Sequence, residues 1–407
     1  MKVVQLFKIY WPDNGGGIAA VMKSIVDVLQ KNEQEIEQEI VVCHGTKGKK
    51  TAVGNYQGVK IRRCRQLGSV ASTPVSLSFL IQTYQAAKGA DLVVAHFPYP
   101  MIDLALLLGL YRGRYIVWWH CDISKYRGLL FFYKPLMKRM LDNAGKILIP
   151  YKEMAVHSEF LQAYRQKCMA VPFGLSRKLV KRADDYMRLP RRESSVCRIL
   201  FIGRLVWYKG CDILLKALAK LEQEKTYEKK ACEKKAGDTK SGYELTIVGN
   251  GPMREELQQM AHKLRLSSVR FTAKVPEKEK IRLIEDCDFL VLPSISKEES
   301  FAIVQLEAMA FGKPVINTKI PSGVPHVSMD GKTGITVEPG NVRQLADAIR
   351  KLGGDSKLRE QYGKNAAAIV REQYVEECLQ KSYDNLFREL GFGKQSGKSE
   401  KATGECR

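Results

Sequence analysis

LFIGRLVWYKG, residues Leu200 to Gly210, is an apolar strand that runs into a glycine turn and leaves through two cations toward a helix. The strand reads from Arg198 to Ile202, and Gly203 makes the turn. Arg204 and Lys209-Gly210 follow, and an amphipathic pattern covers Asp212 to Leu221. A glycine turn between strand and helix offers backbone N–H groups to an anion, and the helix start adds a positive end. Arg clasps a phosphate with paired donors, and Lys adds a point charge. An ordinary βα turn with surface cations carries the same letters, so the stretch needs its neighbours.

The most telling neighbour is EESFAIVQLEAMAFGK, Glu298 to Lys313. Glu299 and Glu307 are eight residues apart, a little over two helical turns, so they face roughly the same side of a helix. Glu307 sits among Val304, Leu306, Ala308, Met309 and Ala310. Glu299 lies before the helix, near its positive end. Two such carboxylates suit a site that grips hydroxyl-rich ligands. A solvated helix face with an acidic cluster at its start reads the same way.

Strands and helices alternate along both halves. In the first half, strands read at Val3 to Ile9, Glu39 to Cys43, Val59 to Cys64, Leu92 to Ala95, Tyr115 to Trp119, Lys146 to Ile149 and Met169 to Val171. Helices read near Ala19 to Gln30, Leu77 to Ala87, Met101 to Tyr111, Leu129 to Leu141 and Met154 to Tyr164. In the second half, strands read at Arg198 to Ile202, Glu244 to Val248, Val269 to Thr272, Phe289 to Leu292, Val315 to Asn317 and Gly334 to Val337. Such alternation means parallel sheets covered by helices, with ligands at the carboxyl ends of the strands. Residues 1–175 form the first unit, 176–195 a polar linker, 196–373 the second unit, 374–390 a terminal helix and 391–407 a disordered tail. Tyr227 to Ser241, charged and without an apolar repeat, reads as a solvent loop.

Four elements occur in order: Gly203-Arg204 with Lys209-Gly210, then IVGNGP at Ile247 to Pro252, LPS at Leu292 to Ser294, and the pair Glu299 and Glu307. This set resembles the nucleotide-sugar half of the retaining GT-B glycosyltransferases of family 4. The likeness extends to the first half through Gly15-Gly16-Gly17 and His120, and covers the chain to about Leu390. Val315 to Asn341 resembles bacterial members that build O-antigen and exopolysaccharide, mannosyltransferases among them. The resemblance implies an α/β GT-B fold, two facing Rossmann-like domains with the site in the cleft, and a terminal helix returning to the first domain.

It also implies roles. A nucleotide diphosphate sugar, UDP- or GDP-linked, lies with its base and ribose on the second domain. Glu307 accepts from the ribose hydroxyls, and Arg204 and Lys209 hold the leaving diphosphate. Backbone N–H groups of Phe301, Ala302 and Ile303 hold phosphate or sugar oxygens. Glu299 orients the sugar, and His120 and the Gly16-Gly17 loop complete the site. Retention of configuration, without a cofactor or a metal, is implied as well. Two positions depart from the family pattern: Ala302 and Ala273 stand where glycine is frequent. The motifs do not separate UDP from GDP donors.

Other signals are weaker. Gly15-Gly16-Gly17 lets the backbone approach a ligand but is not a G-x-G-x-x-G fingerprint, which argues against a dinucleotide cofactor. His120 follows a strand and is expected to face the cleft, and His96 is a candidate for the acceptor pocket. Asp286-Cys287-Asp288 has the D-x-D spacing of metal-dependent transferases. It lies at a helix-to-strand turn where Asp is an ordinary turn residue. Paired carboxylates also serve glycosidases, but phosphate-binding cations have no use there.

Composition sets the limits. The 45% hydrophobic content is ordinary for a globular chain and fills cores of normal size. Ten Cys are scattered without a C-x-x-C pair, which fits reduced thiols in the cytoplasm. No signal pattern opens the chain, and the apolar run Met101 to Leu110 is too short to span a bilayer. The formal net charge is +22, and residues 1 to 190 hold 28 Lys/Arg against 14 Asp/Glu. That balance draws anionic partners. No nucleic-acid-binding motif appears, so nucleic acid is the weakest of them. SKYRGLLFFYKPLMKRML, Ser124 to Leu141, mixes cations with aromatic residues and fits docking on an anionic membrane face. A helix packed on a sheet with its cations in water also fits. Lys47, Lys49, Lys50, Lys60, Arg62, Arg63 and Arg65 form a second basic cluster or a solvated hairpin. The competing functions are a transferase with a glycan or lipid-linked acceptor, a soluble transferase or phosphorylase-like enzyme with a small acceptor, and a non-catalytic anion-binding protein.

Overall fold

The computed structural model describes residues 1–11, 13, 16–32, 35–70, 73–123, 127–190, 194–231 and 242–392. Asn14 and Gly15 of the glycine loop, Ser124 and Lys125 of the basic stretch, linker residues 191–193, residues 232–241 of the charged insertion and the tail from 393 lie outside them. The chain divides into two units: Met1–Gly174 together with the chain from Glu376 onward, and Leu175–Val375.

The first unit begins with β1 (Lys2–Leu6), α1 (Gly17–Gln30), β2 (Glu37–Cys43), β3 (Ala52–Tyr56) and β4 (Val59–Cys64). It continues through β5 (Gly68–Val70), β6 (Thr73–Val75), α2 (Leu77–Ala87), β7 (Leu92–Phe97), α3 (Pro100–Leu107) and β8 (Tyr115–Trp119). Next come α4 (Arg127–Asn143), β9 (Ile147–Ile149), α5 (Met154–His157) and β10 (Cys168–Ala170). The sheet order is β10-β9-β8-β7-β1-β2-β4-β3, parallel except at the β3–β4 edge. Every residue of β7 and β8 is buried, as expected of strands covered on both faces.

The second unit runs α6 (Arg177–Met187), β11 (Val196–Ile202), α7 (Cys211–Ala231), β12 (Gly242–Val248), α8 (Arg254–Lys263) and β13 (Val269–Thr272). Then follow α9 (Glu277–Asp286), β14 (Phe289–Val291), α10 (Ile303–Ala310), β15 (Val315–Thr318) and α11 (Val324–Val327). It closes with β16 (Gly334–Val337), α12 (Val342–Gly354) and α13 (Ser356–Gln373). Its sheet is wholly parallel, in the order β13-β12-β11-β14-β15-β16. Numbered within the unit this is 3-2-1-4-5-6, the doubly wound order of a nucleotide-binding fold. Its direction reverses between β11 and β14, so the crevice for a ligand opens at their carboxyl ends.

The terminal helix α14 (Glu376–Glu389) belongs to the first unit. Lys31 pairs with Glu376 at 2.9 Å, Asn32 donates to Asp384 at 2.9 Å, and Lys146 pairs with Glu389 at 2.6 Å. Tyr383, Leu386 and Phe387 supply its buried face.

Several expectations change. The polar stretch read as a linker is largely α6, capped by Ser176, whose Oγ accepts from Leu179 N. Ala183 is buried, Arg182 makes a two-pronged pair with Glu285, and Arg371 Nε donates to Asp184 at 2.8 Å. Its charge hid a helix whose contacts are ionic. The loop expected from Tyr227 is helical to Ala231, because nothing between Leu221 and Ala231 breaks a helix. The helix expected over Met154 to Tyr164 splits into α5 and a 3₁₀ turn, Gln162–Lys167. In the second basic cluster, Arg62 pairs with the buried Glu39, Lys60 approaches the same carboxylate at 3.4 Å, and Arg63 reaches Asp13 at 3.3 Å. Three of the seven cations in that cluster are therefore spent on internal pairing. None of the eight described cysteines forms a disulfide. Among the described residues no helix is long and apolar enough to cross a membrane.

Candidate active site

In the second unit, β11 ends in the Gly203 turn, and the chain passes through Arg204 to a 3₁₀ turn at Trp207–Lys209. The IVGNGP stretch after β12 folds directly against it. Gly203 N donates to Val248 O and Leu205 N to Asn250 O, both at 3.0 Å. A Cβ at Gly249 would lie 1.9 Å from Gly203 O, and φ there is +146°. Two glycine motifs distant in sequence are thus one backbone crossing that tolerates no side chain. Gly210, at φ +64°, is equally constrained: its Cβ would meet Pro293 O at 2.0 Å. Pro293 belongs to the segment that leaves β14, the other strand of the crevice.

That segment carries Glu299 back to the turn. Lys209 Nζ forms an ion pair with Glu299 Oε2, and both side chains are nearly buried. Ser294 Oγ donates to the same oxygen at 3.4 Å, and Ile295 N donates to Tyr208 O at 2.8 Å. Arg204 is exposed. The chain then passes Phe301, whose ring is buried beside Tyr374, and enters α10 through Ala302. Ala302 has φ +56° and ψ +72°, left-handed backbone at the helix cap. Glycine adopts this conformation without cost, and an alanine strains there. Ile303 opens α10.

Glu307, on α10, has a cation of its own. Lys280 of α9 donates to Glu307 Oε1 at 2.7 Å and contacts Glu277 Oε2 at 3.0 Å. Burial pushes the Glu307 carboxyl above its usual range, against the pull of Lys280. Burial also works to lower Lys280, but the Glu307 and Glu277 carboxylates outweigh it and hold its ammonium above the ordinary lysine range. Glu299 and Glu307 are therefore two separately countered carboxylates rather than one acidic pair.

In the first unit the direction of the sheet reverses between β1 and β7, and α1 starts after β1 with Gly16 as its cap and Gly17 as its first residue. Both glycines are exposed. His120 continues the β7–β8 ladder, its N–H donating to Phe97 O at 3.4 Å. Its side chain is buried rather than open as the sequence suggested. The ring stacks on Trp118 at 4.4 Å, and Nε2 lies 2.9 Å from His96 Nδ1. His96 Nε2 in turn sits 3.0 Å from Gln5 Oε1. Burial lowers the His96 imidazole to about 3 and, with His96 beside it, drives His120 well below its usual value. Both rings are neutral near pH 7. His96 is completely buried, so it supports His120 and does not line a pocket.

Sequence reasoning named Arg204, Lys209, Glu299 and Glu307 but missed Lys280 and Gln5. Lys280 looked like one more charge on a polar helix, and Gln5 like an interruption in an apolar strand. The Asp288 of the D-x-D triplet is structural: its carboxylate accepts from Arg198 N at 2.8 Å and faces Arg359 at 3.8 Å.

Comparison with known proteins agrees with this geometry. Residues 191–368 match the family model described as glycosyl transferases group 1. A D-rhamnosyltransferase, WbpZ, of Pseudomonas aeruginosa is 30% identical over 376 residues, covering 92% of each chain. An O-antigen chain mannosyltransferase C of Escherichia coli is 27% identical over 390 residues, covering 96% of this chain and 99% of its own. The solved structure of sucrose-phosphate synthase from Thermosynechococcus elongatus superposes with a TM-score of 0.73 at 18% identity, over 96% of this chain and 99% of that one. Its fold is that of the GT-B enzymes. The 30% identity along nearly the whole length, on a doubly wound sheet of nucleotide-binding order, means that the chain belongs to the group 1 glycosyl transferases.

Proposed function

We propose that this glycosyltransferase is retaining and metal-independent, and moves a hexose from a UDP- or GDP-linked sugar to a glycan or lipid-linked acceptor in cell-surface polysaccharide synthesis. One observation carries the donor assignment. The Arg204–Lys209 turn and the Glu299–Glu307 segment leave the two strands that flank the crevice of the second unit. The two relatives, named for O-antigen mannosyl transfer and for D-rhamnosyl transfer, favour a polysaccharide product.

In this reading Arg204 and Lys209 stabilise the diphosphate as it leaves. An ammonium has three donors, so Lys209 can reach a phosphate oxygen without abandoning Glu299. Glu299 orients the sugar hydroxyls, and the N–H groups of Phe301, Ala302 and Ile303 hold phosphate or sugar oxygens. Glu307 takes the ribose hydroxyls. His120 and the Gly16-Gly17 loop act on the transferred sugar and its acceptor. The bond from the anomeric carbon to the phosphate oxygen breaks as the acceptor oxygen attacks from the same face. The leaving phosphate oxygen takes the acceptor's proton. The two cations supply the positive charge that a divalent ion would otherwise bring. We further propose that the enzyme works at the cytoplasmic face of the membrane, docked through α4. There Phe131 and Phe132 are 73% and 79% exposed, close in sequence to Lys134, Lys138 and Arg139.

The test is a thermal-shift and transfer screen of the purified protein with UDP, GDP, ADP and their common sugars. A shift with one nucleotide, enlarged by its sugar, together with an α-linked product from an α-linked donor, is the expected result. Absence of any shift removes the donor assignment, and a β-linked product from that donor removes retention.

A further inference from the structure

The clamp on Glu307 adds a residue to the site that neither the motifs nor the proposed roles include. We propose that Lys280 is a positioning residue for the nucleotide's ribose: it fixes one oxygen of Glu307 and leaves the other for the 2′ and 3′ hydroxyls. This rests on the reading of Glu307 as the ribose acceptor. Three observations support it. Lys280 Nζ reaches only Oε1, at 2.7 Å, and Oε2 accepts no hydrogen bond among the described residues. Lys280 is itself held from behind by Glu277 at 3.0 Å, so its ammonium is fixed on two sides. Lys280 and Glu307 are 19% and 13% exposed as side chains, enough for a ligand to touch but too little for water to hold the carboxylate.

Ionised, Glu307 can accept from two hydroxyls; protonated, it loses acceptor capacity and presents a competing donor. Burial drives it toward protonation, and Lys280 is the opposing charge. The charges that act on Glu307 are Lys280 and Glu277 of α9. Helix α13, which also packs on α10, brings Arg371, which is committed to Asp184 and to the Ala310 carbonyl. Lys313, just beyond α10, is committed to the carbonyls of Glu285 and Cys287 and to Tyr186. Removal of Lys280 therefore leaves no second cation among the described residues to hold Glu307 ionised.

The test is calorimetric titration of the full chain with GDP and UDP and with their 2′-deoxy counterparts, from pH 6 to pH 9. The wild type should prefer the ribonucleotide at every pH. In Lys280→Met the ribonucleotide should bind about tenfold more weakly at pH 6, lose most of its advantage over the deoxy form, and recover as pH rises. Lys280→Arg should keep the preference. The double variant Lys280→Met/Glu307→Gln carries no unpaired buried charge, which protects the test against misfolding. It should bind like Glu307→Gln alone, because Lys280 acts through Glu307. A folded Lys280→Met with wild-type preference at every pH overturns the role of Lys280, as does an additive loss in the double variant. A wild type that does not distinguish ribose from deoxyribose overturns the ribose reading of Glu307 and this inference with it.

Discussion

Lys209 faces the Glu299 carboxylate and, under the proposed function, also the diphosphate of the donor, so its removal should be felt twice. Lys209→Ala is expected to lower turnover tenfold or more and to destabilise the fold by about 3 kcal/mol, because Glu299 is left buried without its cation. Glu307→Ala should reduce turnover by a similar factor. Steady-state rates on purified variants, with unfolding curves beside them, decide this; wild-type turnover in either folded variant would remove that residue from the site. Ala302 works in the other direction. A Cβ in the left-handed region costs about 1–2 kcal/mol, and glycine forfeits about 0.4–1 kcal/mol through the unfolded chain. Ala302→Gly should therefore raise stability by roughly 0.8 kcal/mol, the difference between the midpoints of the two ranges. Urea denaturation is the measurement, and a lower midpoint for the glycine variant would show that the surroundings already absorb the strain.

Between elements, the junction of α3 with α4 is sensitive to pH. Asp103, in the first turn of α3, is buried, and its Oδ2 accepts from Tyr133 OH of α4 at 2.7 Å while Oδ1 has no partner among the described residues. Burial raises its carboxyl from 3.8 to about 7. The folded value lies above the unfolded one, so the neutral acid favours folding. That contribution is complete below pH 3.8 and is lost as pH climbs through about 7. Asp103→Asn keeps an acceptor for Tyr133 and carries no charge to bury. It is expected to unfold at the same urea concentration at pH 6 and pH 8.5, whereas the wild type should weaken at the higher pH. Equal weakening of both proteins would assign the loss to other groups. The crossing of the Gly203 turn with the Gly249 loop is an element-scale constraint of another kind, since both backbones fill the space that a side chain would need.

At the scale of the molecule, net charge and one exposed aromatic pair bear on where the enzyme works. A formal charge of +22 attracts any anionic surface over about a Debye length, roughly 8 Å at physiological salt. Charge alone gives weak, salt-sensitive binding. The edge-to-face pair of Phe131 and Phe132, ring centroids 5.5 Å apart, adds an apolar contact that salt does not screen. Sedimentation with phosphatidylglycerol vesicles should therefore show binding that falls with salt. Phe131→Ser/Phe132→Ser should weaken it about tenfold at constant charge. Retention of full binding in that variant would make the interaction purely electrostatic, and indifference of the wild type to vesicle charge would remove membrane docking.

How much of this was legible in the residues depends on the range of the interactions. The strand Tyr115 to Trp119 and the helix Leu77 to Ala87 have the bounds expected from their letters, because a run of buried apolar residues defines the one and the Ser76 cap the other. The ordered motifs pointed to Arg204, Lys209, Glu299 and Glu307 because backbone turns at strand ends impose glycine and charge at fixed spacing. Helix α6 was missed because its stability comes from partners about a hundred residues and more away, Glu285 and Arg371, which no local window contains. The same holds within the site. Sequence alone determined which residue types gather at the ends of β11 and β14. Only the tertiary structure decided that Glu299 belongs to Lys209 and Glu307 to Lys280, and that Gln5 and His96 stand behind His120. Those pairings are set by which helix packs over which strand, where a few ångströms separate a countered charge from an exposed one, and that distance is not written in any single stretch of the chain.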